Sequence, residues 1–339
     1  MKNMKQKGFF DEADRLRRLS ELGDSLEKLN EYIVWEDFRE ILTNGLKKES
    51  QGLGGRPPYD YVLMFKILVL QKIYNISDDQ TEYQINDRLS FQRFLGFSLC
   101  DNVPDAKTVW HFREELKNAN ILEEMFYMFT EKLEKKKIIT YSGSIVDAAF
   151  VEVPRQRNTK EENKEIKEGK IPLEWRAEKK RQKDTDARWT KKNKKVYYGY
   201  KNHIKIDKKS KIITKYRVTS AEVHDSQELK NLIEAKKDKR LYGDSAHAGE
   251  EVQKCIPNHV LNRIHEKGYR NRPLTKTQKR NNTAKSRIRA RVEHVFAAMK
   301  QFGGRTIRTI GKTRAEIQIG LLNLAYNLKR YAYLMGAKA

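Results

Sequence analysis

The first third of the chain carries apolar residues at helical spacing. One amphipathic stretch is marked by Val34, Phe38, Ile41 and Leu42. Residues 61–74 (YVLMFKILVLQKIY) are apolar almost all round, and this pattern predicts a buried helix. The preceding GGRPP sequence, Gly54 to Pro58, predicts a loop, with Pro58 in the first turn of the helix. We therefore predict an all-α domain over residues 1–135.

Three shorter segments complete this helical region. Residues 79–89 and 90–97 are predicted to be short segments joined by tight turns, and Asp105 is the predicted N-cap of an amphipathic helix that ends near Asn118. Four basic side chains are predicted on top of the cluster: Arg88, Arg93, Lys107 and Arg113. The arrangement resembles a helix-turn-helix DNA reader, and the alternative is an ordinary helical bundle with solvated basic residues.

The pattern changes to a β-type pattern near residue 139. Residues 139–153 (ITYSGSIVDAAFVEV) are β-rich and half alternating, and residues 197–207 and 211–220 predict a hairpin over the sequence DKKS. The remaining predicted elements are a helix at 227–235, a strand at 239–243 and amphipathic helices at 287–301 and 314–334. This mixed order predicts an α/β fold class for the second domain, residues 136–339.

The charge of the chain narrows the class of partner. Lys and Arg number 70 and Asp and Glu number 46, which gives a net charge of +24. Residues 155–195 hold 16 basic and 8 acidic side chains, and residues 261–314 hold 16 and 2. The first segment is predicted to be an inserted basic loop or lid that can be disordered without a partner. The second suits neutralisation of DNA phosphates, although a solvated face is the alternative.

Several other classes of protein do not fit the sequence. The most apolar run is interrupted by Lys66 and Lys72 and is shorter than the roughly 20 residues of a spanning helix. The first residues lack the apolar core of a secretory signal. Cys100 and Cys255 are isolated and form neither a disulfide framework nor a zinc motif. We therefore expect a cytoplasmic protein that makes no membrane contact.

Three acidic residues have unusual surroundings. Asp147 lies in an apolar strand, Asp244 follows a strand among small residues, and Glu293 is the one acid between Gly268 and Ala315. Three carboxylates can hold two Mg²⁺ ions about 4 Å apart, which activate a hydroxyl and stabilise a leaving oxygen in phosphodiester chemistry. The alternative is that each acid is a cap or turn residue. The histidines His203, His224 and His247 are scattered and are interpreted as structural.

The helix around Glu293 can present a polar stripe beside its apolar one. At about 100° per residue, Arg289, Glu293 and Lys300 fall within one narrow sector. The apolar stripe beside it consists of Ile288, Val292, Val295, Met299 and Phe302. The polar stripe would direct a carboxylate to metal and two cations to phosphate. A simple surface ion pair between Arg289 and Glu293 is the alternative.

These blocks together resemble the insertion-sequence DDE transposases. The family motif around its Glu is Tyr-x2-Arg-x3-Glu-x6-Lys, and Arg289, Glu293 and Lys300 match it in spacing, while Ser286 stands at the Tyr position. The resemblance makes Asp147 and Asp244 the two aspartates. The sequences YGYKNH (198–203), His224-Asp225, GRPPYDYVLMFKILVLQ and VPDAKTVWHFREEL are also similar to family blocks. The similarity spans about residues 50–330.

The resemblance implies a ribonuclease H-like sheet flanked by helices and preceded by a helical domain that binds DNA ends. It implies Asp147, Asp244 and Glu293 as catalytic metal ligands for two Mg²⁺ ions, with Mn²⁺ able to substitute. Arg289, Lys300, Ser286 and Arg291 are the expected phosphate contacts.

The expected activity is cleavage at terminal inverted repeats and strand transfer to target DNA, by a homodimer associated with the nucleoid. The alternatives are a catalytically silent DNA-binding protein derived from a transposase and a nonspecific nuclease on the same fold.

Overall fold

The computed structural model describes residues 8, 10–47, 57–192 and 194–337. They divide into two units, one formed within Met1–Ala119 and Leu328–Ala339 and the other formed by Asn120–Asn327. The boundary lies at Ala119, before the helix Leu122–Lys135, which belongs to the second unit. The assignment of residues 1–135 to DNA-end binding and of residues 136–339 to catalysis stays a prediction.

The first unit is built from helices. They are α1 Asp11–Glu21, α2 Ser25–Tyr32, α3 Arg39–Leu46, α4 Tyr61–Tyr74, α5 Asp78–Asp87, α6 Leu89–Leu95 and α7 Ala106–Ala119, and a 3₁₀ turn spans Trp35–Phe38. The predicted buried helix is confirmed as α4, in which Phe65, Ile67 and Leu68 are completely buried. Because burial surrounds α4 on several sides, its sequence has no polar face.

The ends of these helices follow ordinary capping chemistry. The Asp60 carboxylate accepts a hydrogen bond from the Leu63 N–H (3.0 Å) and caps α4. Pro58 therefore precedes the cap, and its predicted place in the first turn is wrong. Residues 54–56 of the predicted loop lie outside the described residues. Asp105 accepts from the Thr108 N–H (2.6 Å), which confirms it as the residue that caps α7.

Two of the four arginines and lysines assigned to a DNA-facing surface have partners inside the first unit. Arg93 pairs with Asp24 at 2.6 Å, and Arg113 pairs with Asp78 at 2.5 Å. Only 22% of the Arg93 side chain and 11% of the Arg113 side chain are exposed. The prediction that both lie on top of the helices is therefore wrong, because remote carboxylates draw them inward. Arg88 and Lys107 are exposed, as expected.

The second unit contains a mixed six-stranded sheet. Its strands are β1 Ser144–Glu152, β2 Arg188–Lys192, β3 Lys195–Asp207, β4 Ile213–Ser220, β5 Arg240–Tyr242 and β6 Leu261–Asn262. Strand β3 lies between β1 and β4 and is antiparallel to both, whereas β1, β5 and β6 are parallel in that order. Strand β2 pairs with the first residues of β3. The order of the other five strands, β4-β3-β1-β5-β6, is that of a ribonuclease H-like sheet, which confirms the predicted fold class.

Helices and short turns surround this sheet. They are α8 Leu122–Lys135, α9 Lys160–Lys167, α10 Ala177–Gln182, α11 Leu229–Leu232, α12 Glu250–Lys254, α13 Lys276–Gln301 and α14 Lys312–Gly336, with 3₁₀ turns at Asp225–Glu228 and Ser245–His247. The residues of α14 from Leu328 onward are part of the first unit. Buried amides fix the position of α14. Asn323 exchanges hydrogen bonds with Asn202 of β3, and Asn327 accepts from the Ile213 N–H. These contacts satisfy polar groups that burial would otherwise leave unpaired.

The basic insertion at residues 155–195 has structure of its own. It contains α9, α10 and β2, and Thr159 and Glu162 form a capping box at the start of α9. The buried carboxylate of Asp184 accepts from the Tyr200 hydroxyl at 2.8 Å, which ties the insertion to β3. The segment is therefore not a loop throughout, because it contains helices, a strand and a buried polar anchor. Its role as a lid and its order without a partner stay predictions.

Over the described ranges, none of the helices is both long enough and apolar enough to traverse a bilayer.

Candidate active site

The register of two parallel strands positions the two candidate aspartates. Ser144 of β1 pairs with Leu241 of β5, and Ile145 pairs with Tyr242. Asp147 and Asp244 stand two positions further along each strand, where β5 has ended and the Ser245–His247 turn begins. Because neighbouring strands lie about 4.8 Å apart, this register brings the two carboxylates to one edge of the sheet.

Helix α13 brings the third acid to the same edge. It packs against β1 and β5 through a buried stripe that consists of Val292, Val295, Phe296 and Met299. The Arg289 Nη1 atom lies 2.6 Å from Asp147 Oδ2 and 3.6 Å from Glu293 Oε1. One guanidinium therefore contacts two of the three predicted acids. Asp147 and Glu293 are 146 residues apart in the chain, and Arg289 is 142 residues from Asp147.

Burial and the neighbouring charges both shift the pKa of Asp147. Burial raises the pKa of Asp147 to about 6, while the Arg289 charge and the Ala148 N–H act to lower it. The negative charges of Asp244 and Glu293 both add to the increase. The three carboxylates therefore interact electrostatically, as expected for acids that share one site.

Asp244 differs because it has a histidine partner. Burial alone would raise the pKa of Asp244, but the hydrogen bond and charge of His247, the Ala246 N–H and the Lys192 charge lower it to about 2. The His247 Nδ1 atom lies 2.9 Å from Asp244 Oδ1, and His247 is buried. The interpretation of His247 as merely structural is therefore incomplete, since its ring holds a candidate metal ligand. Its position three residues after Asp244 in a turn is the signal that could have identified it.

The other predicted phosphate contacts lie along α13. Ser286 Oγ is 3.3 Å from the His265 ring, and Arg291 Nη1 donates to the Lys208 carbonyl oxygen at 2.6 Å. Lys300 is exposed about two turns beyond Glu293. The structure therefore brings Arg289 directly to the acids and distributes Ser286, Arg291 and Lys300 along the same helix.

The candidate site offers carboxylate oxygens to a divalent metal. Across the ranges that the structure describes, no group of three His, Cys, Asp or Glu side chains is already arranged around a metal position, and Arg289 lies where it neutralises Asp147 and Glu293. The donors are nevertheless all carboxylate oxygens, which suit Mg²⁺. The Arg289 Nε atom is buried and has no hydrogen-bond partner, so its present arrangement is not fully satisfied. The chemistry of the donor set therefore fits Mg²⁺.

The fold and the acidic edge define a protein with a ribonuclease H-like domain. A family model described as "Transposase DDE domain" matches residues 139–328, and one described as "Transposase domain (DUF772)" matches residues 14–115. The chain belongs to the DDE transposase family. A solved structure described as "Cryo-EM structure of piggyBac transposase synaptic complex with hairpin DNA" is 11% identical, with a TM-score of 0.45 over 95% of this chain and 77% of that one. The assignment depends on the family models and not on this distant similarity.

Proposed function

We propose that this protein is a transposase that binds the terminal inverted repeats of a mobile element, cuts DNA at its ends and joins the freed ends to target DNA. The observation that supports this proposal most is the in-register approach of Asp147 and Asp244, with Glu293 linked to Asp147 through Arg289. Membership of the DDE transposase family supports the same activity.

Asp147, Asp244 and Glu293 are the proposed ligands of two Mg²⁺ ions, with Mn²⁺ able to substitute. When bound, the ions would supply an activated hydroxyl and stabilise the leaving oxygen. His247 keeps Asp244 ionised and oriented through its 2.9 Å hydrogen bond. Asp147 has to lose its proton before it can serve as a ligand, because burial holds its pKa near 6.

Arg289 has two successive partners in this proposal. In the protein alone its guanidinium neutralises Asp147 and Glu293. If the acids held cations, the guanidinium would be free to contact a DNA phosphate, which would give its unpartnered Nε an acceptor. Lys300, Ser286 and Arg291 are proposed to extend the phosphate contacts along α13.

The remaining proposals concern the assembly. Residues 1–135 would bind the element ends and residues 136–339 would carry out the chemistry, in a homodimer that holds two ends and is associated with the nucleoid. The net charge of +24 supports DNA as the partner.

The test compares three substitutions that keep side-chain size: Asp147→Asn, Asp244→Asn and Glu293→Gln. We expect each to lower the rates of end cleavage and strand transfer by more than about a hundredfold, since even changes to residues that only hydrogen-bond to metal ligands cost about 10–100-fold. End binding, measured by fluorescence anisotropy, is expected to change little. The matched control is Glu161→Gln on the exposed face of α9, which should keep the wild-type rates.

The outcomes separate the alternatives. A wild-type protein that binds ends without cutting or joining them would indicate a silent DNA-binding protein. Cleavage that is independent of the terminal sequence would indicate a nonspecific nuclease. A variant that keeps the wild-type rates would remove its residue from the metal site.

A further inference from the structure

A cleft of about 360 Å³ lies between the basic insertion and the segment that follows α13. Its walls are residues 153–157, 182–184 and 308–310. The cleft begins where β1 ends. At this end of β1 the Glu152 N–H donates to the Arg305 carbonyl oxygen and the Ile307 N–H donates to the Glu152 carbonyl oxygen, both at 2.9 Å. The strand that carries Asp147 therefore leads directly into the cleft.

The charged groups of the cleft are mostly cationic. Arg155, Arg157 and Arg308 line it, and all three residues are exposed. Among its described lining residues the one acid is Asp184, which is 2% exposed. Its carboxylate accepts hydrogen bonds from the Tyr200 hydroxyl and from the Ala187 N–H, so it is held within the fold. The arginines therefore give the cleft a positive surface.

Two neutral polar groups in the cleft wall lack partners. Gln156 Oε1 and Thr309 Oγ1 are shielded from solvent and make no hydrogen bond within the described structure. A shielded acceptor or hydroxyl without a partner costs free energy, and proteins satisfy nearly all such groups. An amide oxygen and a hydroxyl next to guanidinium groups match the mixture of phosphate, sugar and base groups in nucleic acid.

We propose that this cleft is a second DNA-binding site, which holds the duplex backbone about six base pairs from the position of chemistry. Six residues separate Asp147 from Val153, or about 20 Å of extended strand. In this proposal the duplex runs along β1, so that length corresponds to about six base pairs at about 3.4 Å each. Arg155, Arg157 and Arg308 contact phosphates, and the side chains of Gln156 and Thr309, whose polar atoms are shielded in the protein alone, turn toward the DNA and gain partners there. The inference depends on the proposed function, since it places DNA at the acidic edge.

The first experiment measures how DNA affinity depends on salt. The variant R155A/R157A/R308A is compared with K160A/K164A/K167A, which removes three exposed charges from α9 of the same insertion. We expect the arginine variant to bind end-bearing duplex at least about tenfold more weakly and to lower the salt slope by about two to three, because each lost phosphate contact lowers it by nearly one. The lysine control should lower the slope by less than about one.

A second measurement locates the contact. The exposed thiols Cys100 and Cys255 are first replaced by serine, so that the label attaches at one position. An iron chelate attached at Gln156→Cys should then cleave the bound duplex in a window centred about six base pairs from the scissile phosphate. Both triple variants are first compared with the wild type by thermal unfolding. If R155A/R157A/R308A does not fold, Arg157→Ala and Arg308→Ala are measured singly, and each should lower the salt slope by about one.

The outcomes distinguish this inference from the proposed function. If R155A/R157A/R308A has the wild-type salt slope and the wild-type protein cleaves DNA ends, the cleft is not a DNA-binding site. The transposase proposal then still stands. A wild-type protein that binds no DNA overturns both. Thermal stabilisation by inorganic phosphate that only the arginine variant loses, with an unchanged DNA slope, means that the cleft takes a free anion and also overturns the inference.

Discussion

The fold raises the pKa of one acid of the candidate site, Asp147. Its pKa is about 6 in the folded protein, chiefly because of burial, and near 3.9 in an unfolded chain. The folded state therefore binds a proton more readily between these two values, so this group's contribution to stability declines as the pH rises from about 4 to about 6. The decline amounts to roughly 3 kcal/mol, which reflects the cost of a crowded charge that a bound cation would relieve.

The affinity for a metal ion should depend on the protonation of Asp147. We expect the affinity for Mn²⁺ to fall nearly tenfold for each pH unit below about 6, because Asp147 has to release its proton to bind a cation. Calorimetric titrations at several pH values would measure this slope, and Asp147→Asn should weaken binding and flatten the slope. An affinity that is constant from about pH 5 to about pH 7 in the wild type would contradict the role of Asp147 as a ligand.

At the residue level, the sequence identified the site only in part. Asp147, Asp244 and Glu293 could be selected because their local surroundings are unusual for acids. Their register across β1 and β5, and the contact of Arg289 with Asp147, depend on residues remote in the chain. The same remoteness explains why Arg93 and Arg113 were assigned to the surface, since no local pattern reveals their carboxylate partners.

Among the elements, the pairing of β1 with β3 includes one position that requires glycine. Gly199 pairs with Glu152 and has φ +144°, and a Cβ there would lie 2.3 Å from the Val151 carbonyl oxygen. Both the backbone conformation and the close approach exclude a side chain. The YGYKNH block therefore includes a residue that is required by the geometry of the strand that carries Asp147.

We expect Gly199→Ala to destabilise the protein by at least about 1–3 kcal/mol, because the added methyl group forces β1 and β3 apart in a strained conformation. Denaturant unfolding would measure the loss. Gly249→Ala is the matched control, since its φ is −65° and the nearest atom to its Cβ lies 3.8 Å away. Equal stability of the two variants would mean that the strands adjust to the methyl group.

The elements with strong hydrophobic patterns could be predicted from the sequence. The buried helix α4, the β3–β4 hairpin and the strand before Asp244 all lie where the pattern placed them. Helix α13 begins at Lys276, about three turns before the predicted start, because its first residues (KTQKRNNTAKS) are polar and show no apolar period. In the insertion, the Thr159–Glu162 capping box was the available signal for α9.

For the whole molecule, we expect the uneven distribution of charge to influence association. The chain carries a net charge of +24, and 14 of these charges arise within residues 261–314, around the helix that carries Glu293. Two free copies would repel each other, and the repulsion would be strongest at low salt, where screening is weak. A polyanion that contacts both copies removes this repulsion, so DNA should favour their assembly.

We therefore expect the protein to be a 40.0 kDa monomer at low salt without DNA and to form an assembly of two chains when end-bearing duplex is added. Light scattering coupled to gel filtration would measure both masses. A neutral polymer at the same concentration serves as the control and should leave the monomer unchanged, because crowding acts weakly and supplies no counter-charge. A stable dimer at low salt without DNA would show that apolar contacts outweigh the repulsion, and it would contradict DNA-driven assembly.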